Sequence, residues 1–222
     1  MNGEPLERIV IEPEGPAQAS LVWLHGLGAD GHDFEPLIPE LGIVEGGVRV
    51  ILPHAPVRPV TINGGMRMRG WYDIRLPDLT RAVDEAGILD SMARVEALVA
   101  AEQAAGIPAA RILLAGFSQG GAIALQLALE RAEPLGGVLA LSTYLPLPQR
   151  LEPGRVQTAT PVFQAHGSED TIVPPALAEQ GVARLRALGV AVEFHRYRMA
   201  HAVCPDEIAD IRGWIARHLA AD

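Results

Sequence analysis

Six short runs dominated by Val, Ile, Leu and Ala, at residues 21–25, 48–53, 111–116, 137–142, 161–166 and 192–197, are the strongest constraint on what this chain can fold into. Most are apolar without alternation, as expected of strands buried on both faces. Segments of helical period separate several of them, at 91–105, 119–131, 175–188 and 205–219. Strands alternating with helices predict an α/β fold in which a mostly parallel central sheet carries helices on both faces. In the last helical segment Ile208, Ile211, Ile215 and Leu219 fall on one side, with Asp206, Glu207, Asp210, Arg212 and Arg217 elsewhere, so one stripe packs and the rest is wet. Residues 54–78 break the rhythm: prolines interrupt them and neither period lasts, which reads as a long unstructured excursion placed over a site. With 222 residues and no linker or internal repeat, the chain is expected to form a single domain spanning 1–222, large enough to bury a core without disulfides.

The balance of 27 acidic against 18 basic residues, a formal net charge of −9, gives no electrostatic support for binding nucleic acid or an anionic membrane. No apolar stretch approaches the roughly 20 residues that span a bilayer, so no integral membrane association is expected. A single cysteine, Cys204, excludes an intrachain disulfide, and the polar N-terminal sequence lacks the apolar core of a signal peptide. Together these predict a cytoplasmic protein.

Gly26-Leu27-Gly28-Ala29-Asp30-Gly31 follows the first strong strand and matches G-x-G-x-x-G. A dinucleotide site also needs a helix opening on those glycines and an acidic residue closing the second strand. Neither is found: Pro36 and Pro39 disrupt the helix, and the second strand ends in Pro53-His54. No cofactor is expected.

Gly116-Phe117-Ser118-Gln119-Gly120-Gly121 fits G-x-S-x-G and lies between a strand and a helix, where a nucleophile elbow must sit. Ser118 as an ordinary helix cap would not explain a glycine on each side. A serine needs a base within reach, itself oriented by a carboxylate, and hydrolases of this architecture supply them in the order Ser, Asp or Glu, His. Asp170 lies in a polar loop after the fifth strand, with Glu169 as its competitor, and His201 lies in the loop between the last strand and the last helix. Acyl transfer also needs donors for the developing oxyanion. The backbone N–H of Gln119 supplies one, and the glycine-flanked Leu27 is the natural second, which gives the glycines at 26 and 28 a use without a nucleotide. His25, His32 and Asp33 are close in sequence but lack metal-ligand spacing, so no metal is expected. Cys204 follows the base instead of occupying an elbow and reads as a packing residue.

In this order, LHGLGADGHDF, WYDI, GFSQGG, LSTYLPL, HGSEDTIVP and MAHAVCPDEI make nearly the whole chain resemble the carboxylesterase and acyl-protein thioesterase family of α/β-hydrolases. The resemblance implies an α/β-hydrolase fold without a separate lid domain, Ser118 as nucleophile, Asp170 as orienting acid, His201 as base, and Leu27 and Gln119 as oxyanion donors. It further implies that Trp71, Tyr72, Leu145 and Val173 help line an acyl pocket, and it allows a homodimer. One departure is Ala200, which stands where the family usually places glycine before the histidine. The expected activity is hydrolysis of carboxylic esters of short to medium acyl chains. Acyl-protein thioesterase or lysophospholipase activity on the same triad is the alternative, and a catalytically silent ligand-binding protein is the reading from a different class.

Overall fold

A computed structural model describes residues 5–219. In chain order the elements are β1 (Arg8–Ile11), β2 (Ala19–Leu24), α1 (Ile38–Leu41), β3 (Val48–Pro53), β4 (Val57–Val60), β5 (Met66–Arg69), α2 (Glu85–Ala104), β6 (Ile112–Phe117), α3 (Gln119–Glu130), β7 (Gly137–Leu141), β8 (Val162–Gly167), α4 (Pro175–Ala187), β9 (Val192–Tyr197) and α5 (Pro205–His218). Seven strands form one sheet in the order β1-β3-β2-β6-β7-β8-β9, in which only β1 runs antiparallel to its neighbour. The parallel α/β architecture with helices on both faces is therefore as the sequence predicts.

Side chains alternate along each buried strand, and so each apolar run feeds two cores. Val22, Leu24, Ile112, Leu114, Val138 and Ala140 pack with Ile88, Val95 and Val99 of α2, Ile123 of α3 and Leu185 of α4. Leu21, Trp23, Leu113, Ala115, Leu139 and Leu141 pack on the other side with Ile38 and Leu41 of α1 and Ile211, Trp214 and Ile215 of α5. Helix α3 is buried along almost its whole length, which explains its near-continuous apolar sequence.

Three features differ from the sequence reading. The edge strand β1 was not anticipated, because its four residues alternate between exposed and half-buried and give no apolar run. Helix α2 begins six residues earlier than its periodicity suggests: Asp84 caps it by accepting a hydrogen bond from the Gly87 N–H at 3.3 Å. Gly87 weakens the local helical signal, and a Cβ there would lie 2.1 Å from the Asp84 carboxylate, so a larger residue would displace the cap. Finally, residues 54–78 are not structureless. They contain the β4–β5 hairpin, in which Val57 pairs with Arg69 and Val60 with Met66, closed through left-handed Gly64 and Gly65. Strands of four residues, one holding Pro59, are too short to register as a period.

The G-x-G-x-x-G stretch leads into single 3-10 turns at Gly31–Asp33 and Glu35–Leu37 and then the four-residue α1. Gly31 packs against the end of β3, where a Cβ would meet the Leu52 carbonyl oxygen at 2.5 Å, so its glycine serves packing. Among the described residues no helix is long and apolar enough to cross a membrane.

Glu207, in the first turn of α5, is buried, and that burial pushes its carboxyl up to about 8 against the opposing pull of the Cys204 backbone. Because the folded protein retains a proton that the unfolded chain has released, stability contributed below the ordinary carboxylate range is lost as the pH rises towards 8. Melting temperatures should therefore fall between pH 5 and pH 8.5 in the wild type and fall less in Glu207→Gln; equal slopes for the two proteins would show that Glu207 is ionised in the fold.

Candidate active site

The site is assembled where loops leave the carboxyl ends of β2, β6, β8 and β9. At the end of β6 the chain reverses within one residue into α3, and Ser118 takes φ 53° and ψ −118°, a conformation that L-residues seldom adopt. Several contacts hold it there. The Ser118 N–H donates to Leu141 O at 2.9 Å, while its carbonyl accepts from Thr143 Oγ1 at 2.6 Å and from the Ala122 N–H at 3.1 Å. The flanking glycines are steric requirements: a Cβ on Gly116 would lie 2.4 Å from Gly120, and one on Gly120 would lie 2.5 Å from the carbonyl oxygens of Leu24 and His25. The Ser118 side chain makes no capping bond to α3, which removes the helix-cap explanation for it.

Asp170 lies beyond β8 with its carboxylate buried. Its Oδ1 accepts from the N–H groups of Ile172 and Val173, both at 2.9 Å, and its Oδ2 accepts from Nδ1 of His201 at 2.7 Å. Glu169, the competing acid, is instead exposed and paired with Arg198 at 3.0 Å. His201 sits in the turn between β9 and α5, its ring against Phe117 with centroids 4.7 Å apart. Ala200 is not among the residues with positive φ, so alanine fits where the family usually has glycine. The close approach falls instead on Gly167, where a Cβ would lie 2.4 Å from the carbonyl oxygens of Met199 and Ala200.

Ser118, His201, Leu27, Gln119, Tyr72 and Val173 line one cavity of about 280 Å3. Gln119 opens α3, so its N–H has no intrahelical acceptor. Leu27 lies between Gly26 and the left-handed Gly28, whose N–H donates to Arg69 O of β5 at 2.9 Å. Two of the sequence-predicted pocket residues are placed elsewhere. Trp71 is fully buried below the site, its indole N–H donating to His25 O at 2.9 Å, and Leu145 faces a second cavity of about 540 Å3. The two cavities have Leu79 and Tyr144 in common as walls. Tyr144 is held by a 3.0 Å hydroxyl-to-hydroxyl bond with Tyr72, and burial raises both phenols above their ordinary value.

Some of the machinery was not visible in the sequence. The side chain of Gln119 accepts from the Trp71 N–H and donates to Tyr72 O, both at 2.7 Å, pinning the end of the hairpin excursion to the elbow. His25 accepts from the Ala55 N–H at Nε2 and donates from Nδ1 to Gly26 O, and burial lowers it to about 4, so it remains neutral and purely supportive. Only the placement of Gln119 directly after the serine could have hinted at such a role.

A parallel sheet with a strained serine between strand and helix, in one cavity with a histidine bonded to a buried aspartate, places the protein among the α/β-hydrolases. The sequence model of the phospholipase/carboxylesterase family matches residues 6–219, and the chain belongs to that family of ester hydrolases. It is 40% identical to acyl-protein thioesterase 1 of Mycosarcoma maydis, over 97% of this chain and 98% of that one. The match to acyl-protein thioesterase 1 of Cryptococcus neoformans is 36% over 96% and 98%. Among solved structures it resembles acyl-protein thioesterase 2 of Zea mays, with a TM-score of 0.85, 28% identity and coverage of 96% and 99%. Esterase PE8 gives a TM-score of 0.84 at 25% identity, covering 97% and 100%.

Replacing Gln119 by Leu keeps the backbone N–H and leaves the Trp71 N–H and Tyr72 carbonyl buried without their partner. A loss of about 2–4 kcal/mol is expected from two such orphaned groups. Urea unfolding of the variant measures it, and an unchanged midpoint would mean that these two bonds do not hold the excursion.

Proposed function

We propose that the protein is a serine carboxylesterase in which Ser118, His201 and Asp170 act as nucleophile, base and orienting acid, with the N–H groups of Leu27 and Gln119 receiving the oxyanion. The observation that carries this reading is the 2.7 Å bond to a buried Asp170 from His201, which lines the same cavity as the elbow serine. In the reaction His201 takes the Ser118 proton as Oγ attacks the acyl carbonyl, then returns it to the departing oxygen or sulfur. Water activated by the same histidine hydrolyses the acyl-enzyme. Asp170 fixes the tautomer that leaves Nε2 of His201 free to accept, and stabilises the imidazolium.

A cavity of about 280 Å3, with Tyr144 and Leu79 in its wall, is near the lower end of ligand sites, which favours acyl chains of short to medium length. Two observations favour a second reading, a thioesterase for longer acyl groups on the same triad: the relatives named above as acyl-protein thioesterases, and the larger cavity behind that wall.

A series of p-nitrophenyl esters and acyl thioesters of increasing chain length tests both. Ser118→Ala should be inactive throughout, and Asp170→Asn should lose on the order of 10^3–10^4-fold in kcat with the fold retained. Near-full turnover by Asp170→Asn would refute the acid assignment. Tyr144→Ala, which removes much of the shared wall, should move the optimum towards longer chains. A wild type already fastest on the longest thioester would establish the second reading in place of the first.

A further inference from the structure

His166, the penultimate residue of β8, is fully buried and makes no contact that a hydrolase triad requires. Its Nε2 nevertheless lies 2.8 Å from Val173 O and 3.3 Å from Oδ2 of Asp170. We infer that His166 is a positioning residue for the reaction: a neutral donor that bonds the Val173 carbonyl, faces Oδ2 of Asp170, and so holds the loop carrying that carboxylate in the orientation His201 needs.

The proton position follows from the surroundings. Nε2 faces two oxygens, whereas Nδ1 has no hydrogen-bond partner among the described residues. A proton on Nδ1 would be a buried donor without an acceptor and would turn the Nε2 lone pair towards a carbonyl and a carboxylate, so the imidazole carries it on Nε2. Burial lowers the ring's basicity and keeps it neutral; what it presents to Asp170 is the positive end of an N–H dipole.

The connectivity explains why this matters. Val173 donates its N–H to Asp170 Oδ1 and accepts from His166 through its carbonyl, so His166 is tied to Asp170 through Val173. Two backbone donors hold Oδ1, and the His201 and His166 rings face Oδ2. Without His166, Oδ2 keeps, among the described residues, only its contact with His201, the group that must change charge during turnover. The loop also loses the tether at Val173, which lines the cavity beside Ser118. A carboxylate free to swing about its Oδ1 anchors orients the base less well, and the loss appears in the chemical step rather than in substrate binding.

This inference rests on Asp170 and His201 being the acid and base, so Asp170→Asn is measured alongside. In His166→Phe the ring volume remains and the N–H is lost; in His166→Gln an amide N–H can reach the same oxygens. Per active site titrated with a fluorophosphonate, His166→Phe should lose on the order of 10-fold in kcat on a p-nitrophenyl ester with KM unchanged, and His166→Gln should recover most of that loss. The low-field proton resonance of the Asp170–His201 bond should shift in His166→Phe and return in His166→Gln. Wild-type kcat and an unmoved resonance in His166→Phe, or no recovery in His166→Gln, would overturn the inference while loss in Asp170→Asn leaves the triad reading intact. Full activity in Asp170→Asn would overturn both. Independently of any variant, nitrogen spectra of the wild type should show His166 neutral with its proton on Nε2, and a proton on Nδ1 would refute the role.

Discussion

Backbone contact between the end of β6 and the start of α3 is the constraint on which the rest of the site depends. Because Gly116 and Gly120 touch without side chains between them, the helix begins within one residue of the strand and Ser118 is forced to positive φ. That strain is held by bonds from neighbouring strands: Leu141 and Thr143, at and just beyond the end of β7, both grip the Ser118 peptide. Ser142, between them, also has positive φ and donates from Oγ to Ala202 O in the histidine loop at 3.3 Å. The strained turn and the loop carrying His201 are thus braced through the same short segment.

On the opposite side the brace is the hairpin excursion. Residues 69–72 are bonded to Gly28, Gln119 and His25, so the segment that the sequence pattern leaves structureless fixes the loop containing Leu27. Ser91 of α2 adds a hydrogen bond to the Trp71 carbonyl, anchoring the excursion to the sheet-covering helices as well. A long connection becomes rigid when its backbone groups are satisfied by buried side chains rather than by a ladder of its own.

What the sequence revealed and what it hid divide along physical lines. The parallel strands and covering helices were legible because burial on both faces leaves an uninterrupted apolar record, as in residues 112–116. Ser118, Asp170 and His201 stood out because each lies in a loop directly after such a run. The β4–β5 hairpin, the edge strand β1 and the first turn of α2 were hidden because four-residue elements and a glycine-bearing helix start carry little period. The placement of Trp71 and Leu145 away from the serine cavity could not be read either, since a large apolar side chain looks the same in sequence whether it faces a cavity or a core. The supporting roles of Gln119, His25 and His166 depend on partners up to 48 residues away, fixed by the fold rather than by a sequence pattern.

The order in which the site's parts occur along the chain has a consequence for synthesis and folding. The turn at Leu27 and the elbow at Ser118 belong to adjacent strands at the centre of the sheet, whereas Asp170 and His201 follow β8 and β9 at one edge, and α5 then covers the strands from the other side. A chain folding as it emerges can complete the strained serine while β9 and α5 are still missing. Under the proposed triad, the Ser118 hydroxyl remains an ordinary alcohol until the last quarter of the sequence docks and brings Asp170 and His201 to it.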